Sequence, residues 1–458
     1  MINLTEYKNI HCIGIGGVGV SAIAEILLSR GYNVSGSDMK QSEITDRLAK
    51  DGIKIYIGHA KENVEDADLI VYSAAIAEEN PEVIRAREKN IPLASRAEIL
   101  GVLMDDFENS IAISGTHGKT TTTSMVSLIL EHAALEPTIL VGGNLEEIGG
   151  NVKVGHSKYF VTEACEYRDS FLQLRPKIEV ILNIDSDHLD YFKDIDHIVD
   201  SFDRFTKLIP EGGKIIAYDA NPFVAKVIKD VKGTITYGYN EKCDYFIDKV
   251  DFDDNGMPGF ELSYGGQVLG HVKLHMPGEH NILNAVAAFA CCHQLGIDTD
   301  VIISTLENFT GTQRRFDVIG TTANGVKIVD DYAHHPTEIK ATLSAATNIN
   351  SNRLWCLFQP HTYTRTLALF DDFADAFKDA DVLVLAKIYA AREKDIYKVS
   401  SKALAEEVRK RHPEKEVHYF DTLEEIAEFV KAEAKPNDLV ITMGAGDIYK
   451  VGEMVLAE

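Results

Sequence analysis

The segment with the most specific chemical signal spans residues 111 to 130 and reads IAISGTHGKTTTTSMVSLIL. An apolar strand pattern leads into a short glycine-containing loop, and a helical pattern follows. Successive backbone N–H groups in such a loop can surround phosphate oxygens, and the helix start adds positive potential. The spacing predicts that Lys119 reaches the β- and γ-phosphates of a nucleotide and that the Thr120 hydroxyl binds Mg²⁺. The residues predicted to contact this nucleotide are Gly115, Thr116, His117, Gly118, Lys119, Thr120 and Thr121.

The match to the usual phosphate-loop signature is imperfect, because Ile113 occupies the position at which the first glycine belongs. The alternative interpretation is a glycine-containing turn beside a surface lysine. We favour the phosphate loop, since Gly118, Lys119 and Thr120 stand directly between a clear strand and a clear helix.

A second glycine-rich loop lies near the N-terminus. The apolar run IHCIGI meets the pattern Gly14-x-Gly16-x-x-Gly19, and the next predicted strand, YNVSGSD, ends at Asp38. Glycines at this spacing let a backbone approach a diphosphate, and the acid can bind a ribose hydroxyl. Taken alone, this loop fits NAD, FAD or another nucleotide diphosphate. A dehydrogenase, however, would not explain the separate triphosphate loop, so the pair of loops points to a ligase with a nucleotide-linked substrate.

Three blocks of alternating strand and helix patterns follow one another along the chain. The charged segment LMDDFENS separates the first two blocks, and a short-strand region with Gly and Asn turns begins near residue 243. Alternation of this kind predicts parallel, doubly wound sheets. We therefore expect an α/β protein with three consecutive domains. They are a Rossmann-like domain (1–107), a central P-loop ATPase-type domain with added antiparallel strands (108–312) and a Rossmann-like C-terminal domain (313–458).

The composition is that of a globular protein of several domains, with 458 residues and a formal net charge of −25. The acidic excess argues against a broad nucleic-acid-binding face. The six cysteines form no CxxC pair, which fits reduced thiols in a cytoplasmic protein. No apolar run approaches the roughly 20 residues that a membrane span needs, so we expect no membrane insertion. A monomer and a homodimer remain equally compatible with the sequence.

A set of motifs, in this order along the whole chain, resembles the Mur ligase family. The motifs are GIGGVG, GTHGKTTT, NIDSDHLDYF, GEHNILNA, RRFD, DDYAHHPTE, FQPHTYTR and TMGAGDI. The resemblance implies ATP-dependent ligation of L-alanine to the lactyl carboxylate of UDP-N-acetylmuramate, through an acyl phosphate, in peptidoglycan precursor synthesis. The N-terminal loop would then bind the diphosphate of a UDP-sugar rather than a nicotinamide cofactor.

Phosphoryl transfer depends mainly on positioning and charge neutralisation, so the site should be rich in cations and Mg²⁺ ligands. Glu163 ends the predicted strand KYFVTEA, where a carboxylate could hold Mg²⁺ beside Thr120. The resemblance implies that His188 binds a second Mg²⁺ and that Arg315 reaches an ATP phosphate; the adjacent Arg314 could be mistaken for it. By position alone, Glu163 could be a solvated carboxylate and His188 a polar loop residue. The predicted catalytic residues are Lys119, Glu163, His188 and Arg315.

The resemblance also implies ligand contacts from the second and third blocks. His280, Asn281 and Asn284 begin a predicted helix and would contact ATP, although helix capping explains His280 and Asn281 equally well. Asp331 would bind the ATP ribose. Because Arg315 and Asp331 lie in the third block, ATP should be enclosed between domains, and closure should accompany catalysis.

For the UDP-sugar, the resemblance assigns the diphosphate turn, the ribose or uracil and the pyrophosphate to three short segments. These residues are Gly14, Gly16, Gly17 and Gly19 for the turn, Ser37 and Asp38 for the ribose or uracil, and Ser73 for the pyrophosphate. The predicted amino-acid site consists of Glu166, Tyr332, His334, His361 and Arg365. An arginine can bind a carboxylate through two hydrogen bonds, but Thr362 stands where some relatives have a second arginine.

Two alternatives to this function share the same motifs. A sister ligase would attach a recycled murein tripeptide to the same nucleotide sugar and would differ in the amino-acid pocket. A regulatory nucleotide-binding protein with an inactive site is the other alternative. The presence of Lys119, Thr120, Glu163 and His188 argues against it.

Overall fold

A computed structural model describes residues 2–73, 75–253, 255–391 and 393–457. The strands form three sheets, one after another along the chain, which confirms the predicted three-domain α/β fold. Within the described residues, no helix is both long enough and apolar enough to cross a membrane. The domain boundaries that we placed after residues 107 and 312 remain predictions.

The first sheet is parallel, with strand order β3-β2-β1-β4-β5. The order reverses direction between β1 and β4, which is where doubly wound sheets bind ligands. Helix α2 begins at a capping box formed by Ser42 and Thr45, and α3 begins with Pro81. The elements are β1 (Asn9–Ile13), α1 (Val18–Ser29), β2 (Asn33–Asp38), α2 (Glu43–Lys50), β3 (Lys54–Ile57), β4 (Leu69–Tyr72), α3 (Pro81–Glu88), β5 (Leu93–Ser95) and α4 (Arg96–Met104).

The second sheet has the order β15-β14-β13-β12-β11-β10-β6-β9-β7-β8. Seven neighbouring strands are parallel, and antiparallel hairpins extend both ends, so the predicted antiparallel addition at β13–β15 is confirmed. The elements are β6 (Asn109–Ser114), α5 (Lys119–His132), β7 (Thr138–Leu145), β8 (Gly150–Lys153), β9 (Tyr159–Glu163), β10 (Ile178–Ile181), α6 (Ile195–Thr206), β11 (Lys214–Tyr218), α7 (Pro222–Ile228), β12 (Thr234–Gly238), β13 (Tyr245–Phe252), β14 (Pro258–Tyr264), β15 (Gln267–Lys273), α8 (Glu279–Gln294) and α9 (Thr299–Asn308).

The third sheet has the order β16-β17-β21-β18-β19-β20, in which only the pairing of β16 with β17 is antiparallel among the described strands. The elements are β16 (Asp317–Thr321), β17 (Lys327–Asp331), α10 (Pro336–Ala346), β18 (Leu354–Phe358), α11 (Tyr363–Ala368), α12 (Phe370–Ala374), β19 (Val382–Ala386), α13 (Ser401–Arg411), β20 (Glu416–Phe420), α14 (Leu423–Glu433), β21 (Leu439–Met443) and α15 (Tyr449–Leu456).

Apolar cores pack on the faces of these sheets, and the central strands are buried along their whole length. Strands β18, β19 and β21 contain only buried residues, as expected for parallel strands covered on both faces. The segments at the carboxyl ends of β1, β6, β9, β10 and β17 carry many of the predicted site residues. The sheets therefore hold these loops at the junctions between domains.

Candidate active site

The phosphate loop between β6 and α5 is fixed by the segment that follows β10. The Thr116 N–H donates to the Asn183 carbonyl (3.1 Å), and the His117 N–H donates to Asn183 Oδ1 (2.8 Å). Gly118 has a φ of +86°, and a side chain there would collide with Asn284 Oδ1 on α8. Glycine is required at this position by both backbone conformation and space.

Lys119 is held by an internal carboxylate. Its ammonium donates to the Thr116 carbonyl (3.0 Å) and to Glu166 Oε2 (3.0 Å), and Glu166 is only 2% exposed. Burial by itself lowers the pKa of Lys119, but the neighbouring acidic groups, Glu166 foremost, together outweigh burial and raise the pKa to about 12. Lys119 is therefore a stable cation in the phosphate loop.

Glu163 and Thr120 flank a pair of glycines in β7. Glu163 Oε1 accepts the Gly142 N–H (2.6 Å). A Cβ at Gly142 would lie 2.7 Å from both Glu163 carboxylate oxygens, and one at Gly143 would lie 3.1 Å from Thr120 Cγ2. The two glycines therefore let β7 pass close to the Glu163 carboxylate and to the Thr120 side chain. A carboxylate and a hydroxyl are oxygen donors of the type that Mg²⁺ prefers.

His188 lies in the loop after β10 with a φ of +54°. Its Nε2 is 3.9 Å from Glu166 Oε1 and 3.9 Å from Asp187 Oδ2, and its ring centroid is 4.8 Å from that of Tyr167. Glu166 thus lies between Lys119 and His188. This arrangement joins three predicted site residues in one charged cluster.

The cavity at which we predict nucleotide binding (the nucleotide cavity), of about 430 Å³, opens between the phosphate loop, α8 and the C-terminal domain. Asn281 and Asn284 lie on its wall, where Asn281 Nδ2 donates to the Pro277 carbonyl (2.8 Å) and Asn284 Nδ2 donates to Asn281 Oδ1 (3.2 Å). Burial lowers the pKa of His280 to about 4, so its imidazole is neutral. The predicted residues that line this cavity are His117, Gly118, Thr121, His280, Asn281, Asn284, Arg315 and Asp331.

Two neighbouring acids, Asp330 and Asp331, and two neighbouring arginines, Arg314 and Arg315, lie at the C-terminal side of this cavity and have different partners. Asp331 is buried and accepts the N–H groups of Phe316 (2.9 Å) and Ala333 (2.7 Å); burial raises its pKa to about 6. Arg314 binds Asp330 (2.8 Å) and the Gly444 carbonyl (2.8 Å). Arg315, by contrast, lines the cavity, so the two adjacent arginines have different surroundings.

The N-terminal cavity, of about 390 Å³, lies between the first glycine loop and β7–β9. Gly17, Gly19 and Ser73 line it together with Glu163, so the acid beside the phosphate loop also borders this cavity. Arg96, the first residue of α4, lies on its wall as well. A Cβ at Gly19 would lie only 2.9 Å from Arg96 Cδ, so this glycine allows the arginine to cross the loop.

The other predicted residues of the first domain mainly shape the loop itself. Asp38 Oδ2 accepts the Gly16 N–H (2.9 Å), and Gly14 has a φ of +78°. Ser37 is fully buried and donates to Glu82 Oε2 (2.6 Å). Its hydroxyl therefore faces the protein interior in this structure, whereas Asp38 supports the turn directly.

The C-terminal cavity, of about 550 Å³, lies between the loop after β10 and the third domain. His188, His361 and Arg365 line it, together with Asp187 and Glu393. Tyr332 and His334 lie outside the set of described residues that line this cavity, although the His334 ring centroid is 6.2 Å from that of His361. The residues predicted to bind the amino-acid substrate are thus divided between this cavity and positions outside it. Glu166 pairs with Lys119, and Arg314 and Arg315 contact the Tyr332 ring.

The start of α10 joins the C-terminal domain to the phosphate-loop region. His117 contacts Glu338 Oε1 through Nδ1 (3.1 Å) and Asp185 Oδ2 through Nε2 (3.2 Å), and Thr337 Oγ1 donates to Asp185 Oδ2 (2.7 Å). His117, Asp185 and His335 have potential metal-ligand atoms within 4.8 Å of one another. However, His335 Nδ1 accepts the Thr337 N–H and Nε2 donates to the Ser186 carbonyl, so its nitrogens already have partners.

Sequence reasoning did not single out four residues that the structure places at these cavities. Asp185 and Asp187 lie in the motif NIDSDHLDYF, and Glu338 ends the motif DDYAHHPTE. Their position beside predicted site residues of the same motifs was the sequence signal that could have identified them. Arg96 begins a helix directly after a short strand, which gives no specific signal. Its place at the N-terminal cavity depends on the pairing of β4 with β5.

Comparisons with known proteins match this three-part organisation. The family models "Mur ligase family, catalytic domain", "Mur ligase middle domain" and "Mur ligase, glutamate ligase domain" match residues 9–108, 113–292 and 314–446. The chain is 49% identical over 460 residues to a UDP-N-acetylmuramate–L-alanine ligase from Acetivibrio thermocellus, covering 100% of this chain and 97% of the relative. It is 53% identical over 455 residues to the protein of that name from Clostridium tetani, covering 99% of each.

A solved structure extends the similarity to three dimensions. The UDP-N-acetylmuramate–alanine ligase from Thermotoga maritima has a TM-score of 0.82 at 28% identity, over 98% of both chains. Sequence and structure therefore agree over almost the whole length, with all three domains in the same order. This chain belongs to the Mur ligase family.

Proposed function

We propose that this protein joins L-alanine to the lactyl carboxylate of UDP-N-acetylmuramate while ATP is converted to ADP and phosphate, a step of peptidoglycan precursor synthesis. Relatives named for this activity share about half of its residues over its whole length. Members of the Mur ligase family depend on ATP, which agrees with the phosphate loop at residues 115–118.

One observation carries this proposal: each member of the cluster of Lys119, Glu166 and His188 either lines a cavity or is next in the chain to a residue that does, and the three cavities differ. The phosphate loop borders the nucleotide cavity, Glu163 and Cys165 border the N-terminal cavity, and His188 borders the C-terminal cavity. In the proposed reaction, a phosphoryl group passes from the nucleotide to the second substrate, and the acyl group of that second substrate then passes to a third. Such a reaction needs three binding cavities close to one another.

We assign ATP to the nucleotide cavity. The adenine lies against Asn281 and Asn284, and the ribose is near Asp331. The triphosphate follows the phosphate loop toward Lys119, with Arg315 supplying a second cation from the C-terminal domain. Incoming phosphate oxygens replace Glu166 as the partner of Lys119.

The UDP-sugar occupies the N-terminal cavity, with its diphosphate on the glycine loop near Ser73 and Arg96. The positive charge of Arg96 suits a diphosphate, and the backbone N–H groups at the start of α1 add to this attraction. L-Alanine occupies the C-terminal cavity, with its carboxylate at Arg365 and its amine toward His188.

Mg²⁺ ions fit the donor groups that are present. Thr120 and Glu163 would hold one ion, and His188 would hold a second. When bound, the ions neutralise phosphate charge and so favour attack on the γ-phosphorus.

The chemistry proceeds in two steps. A lactyl carboxylate oxygen attacks the γ-phosphorus, the bond to the bridging oxygen of ADP breaks, and an acyl phosphate forms. The unprotonated amine of L-alanine then attacks the acyl carbon, phosphate leaves, and the new amide nitrogen loses a proton. Lys119 and Arg315 stabilise negative charge during the first step. Glu166 contacts Lys119 directly and loses this partner when Lys119 binds the phosphate oxygens.

We infer a cytoplasmic location, because all six cysteines are free thiols and both nucleotide substrates are cytoplasmic metabolites. The function is tested by measuring ADP formation with ATP, UDP-N-acetylmuramate, L-alanine and Mg²⁺, omitting one at a time. We expect turnover only with all four, apart from slow background hydrolysis. Rapid turnover with a murein tripeptide in place of alanine, or turnover of NADH, would contradict the proposal.

A further inference from the structure

An ion pair connects the central and C-terminal domains at the C-terminal cavity. Arg365 donates from Nε to Asp187 Oδ1 (3.2 Å) and from Nη2 to Oδ1 (3.1 Å) and Oδ2 (3.4 Å). The two side chains are only 14% and 10% exposed. A planar guanidinium bound along one edge by a carboxylate has little freedom to rotate.

Asp187 is also fixed within its own domain. Its Oδ1 accepts the N–H of His188 (2.7 Å), so the carboxylate belongs to the same loop that places His188 in the cavity. The Asp187 carboxylate therefore has two partners, the backbone N–H of His188 and the Arg365 guanidinium, which together fix its orientation.

The opposite end of the Arg365 guanidinium has a weaker partner. Nη1 lies 3.4 Å from His361 Nδ1. Burial, followed by the charge of Arg365, lowers the pKa of His361 to about 4, so this imidazole is neutral and Nδ1 accepts the contact. Asp187 thus occupies the Nε edge of Arg365, while the Nη1 end keeps donor capacity for a second carboxylate.

We propose that Asp187 is a positioning residue for the amino-acid substrate. Held by the central domain, Asp187 orients Arg365 of the C-terminal domain so that the Nη1 end of the guanidinium receives the carboxylate of L-alanine. This inference rests on the proposed function, because it concerns how the alanine site is assembled. It also means that the alanine site is complete only when the central and C-terminal domains are together.

An opposite role for the same contact makes the inference testable. If Asp187 merely occupied Arg365 in place of the substrate carboxylate, its removal would improve alanine binding. If Asp187 served only to shape the loop around His188, its removal would slow the chemical step and leave alanine binding unchanged. The direction of the change in KM for alanine separates these roles from positioning.

The experiment compares Asp187→Asn with the wild type in steady-state ADP formation, varying L-alanine at saturating ATP and UDP-N-acetylmuramate. We expect the KM for L-alanine to rise about tenfold or more, because a charge-assisted contact loses its orientation. The kcat and the KM values for ATP and UDP-N-acetylmuramate should change little. Asp203→Asn, which breaks an exposed ion pair with Lys207, is the matched control.

A second measurement uses L-alaninamide, which has no carboxylate. The preference of the wild type for L-alanine over L-alaninamide should shrink in Asp187→Asn by about the factor by which KM rises, whereas Asp187→Glu should restore part of it. In an Arg365→Lys background, Asp187→Asn should add little, since the residue that it positions is already gone. Arg365→Lys alone also tests the site if Asp187→Asn fails to fold.

A lower KM for alanine in Asp187→Asn, or a lower kcat with unchanged KM, would overturn the inference. An unchanged preference between alanine and its amide would overturn it as well. If the wild type itself formed no ADP with L-alanine, the proposed function would be wrong, and the inference would be withdrawn with it.

Discussion

His117 of the phosphate loop lies 3.1 Å from Glu338 at the start of α10, so one imidazole joins the nucleotide loop to the C-terminal domain. Asp185 contacts the other nitrogen of the same ring at 3.2 Å. Burial by itself lowers the pKa of His117, but hydrogen bonds to these two acids outweigh burial and raise the pKa to about 9. The contact between domains is therefore an ion pair at neutral pH.

The raised pKa of His117 predicts a pH-dependent contribution to stability. Below pH 6.5, the usual pKa of histidine, the imidazole is charged in both folded and unfolded chains, so the full stabilisation is present. As the pH rises toward 9 the stabilisation is lost, because the unfolded chain releases its proton first. The full effect is on the order of 3 kcal/mol. The difference in Tm between the wild type and His117→Gln should shrink from pH 6.5 to 9. Glu338→Gln should make the Tm less dependent on pH than it is in the wild type. If the Tm values of the wild type and of His117→Gln changed in parallel with pH, the role of this contact would be contradicted.

Removal of the phosphate-loop cation should impair chemistry more than binding of the UDP-sugar. We expect Lys119→Ala to lower kcat by about a hundredfold or more, which corresponds to about 2.7 kcal/mol of activation free energy. The KM for UDP-N-acetylmuramate should stay nearly constant, because we assign its diphosphate to the first domain. Lys158→Ala, which removes an exposed lysine paired with Glu108, is the control. A near-normal kcat for Lys119→Ala would exclude this lysine from phosphoryl transfer.

The proposed metal role of His188 has its own signature. His188→Ala should lower kcat by about a hundredfold and raise the Mg²⁺ concentration needed for half-maximal activity. In the double variant with Lys119→Ala, the losses should be less than additive, because both residues serve one phosphoryl group. Equal Mg²⁺ dependence in His188→Ala and the wild type would leave His188 as a loop residue only.

The two glycine loops should be separable by substitution. A Cβ at Gly16 would lie 2.9 Å from Asp38 Oδ2, so Gly16→Val should distort the first loop and raise the KM for UDP-N-acetylmuramate. Gly118→Ala should instead raise the KM for ATP, because it forces strain and a collision with Asn284. Gly31→Ala controls for backbone strain alone, because Gly31 shares the positive φ (+85°) of Gly118 but has open space around it. If Gly16→Val mainly weakened ATP binding, the assignment of the two loops would be reversed.

Arg96 should contribute to binding of the UDP-sugar although no motif marks it. Removal of a cation from the wall of the N-terminal cavity weakens attraction for a diphosphate, so Arg96→Ala should raise the KM for UDP-N-acetylmuramate about tenfold. The KM for ATP should not change. Arg87→Ala, on the exposed face of α3, is the matched control. An equal effect of both variants would contradict a specific role for Arg96.

The local parts of this protein could be predicted from the sequence. A strand, a glycine loop and a helix are adjacent in the chain, so GTHGKTTT and GIGGVG specify their own backbone shapes, and the three-domain α/β fold follows from their alternation with other elements. Strands β7 and β8 were not predicted, because the glycines in TILVGGNL lower the strand propensity of this segment. In the structure, the pairing of β7 with β9 outweighs this low propensity.

Only the tertiary structure decided which of these groups meet. Arg365 and Asp187 are 178 positions apart, and His117 and Glu338 are 221 positions apart, so no local pattern relates their side chains. The burial of Ser37 on Glu82 and the pairing of Lys119 with Glu166 likewise depend on how neighbouring segments pack. Sequence patterns determine backbone geometry over a few residues, whereas the partners of a charge depend on long-range packing and on the cost of burying that charge alone.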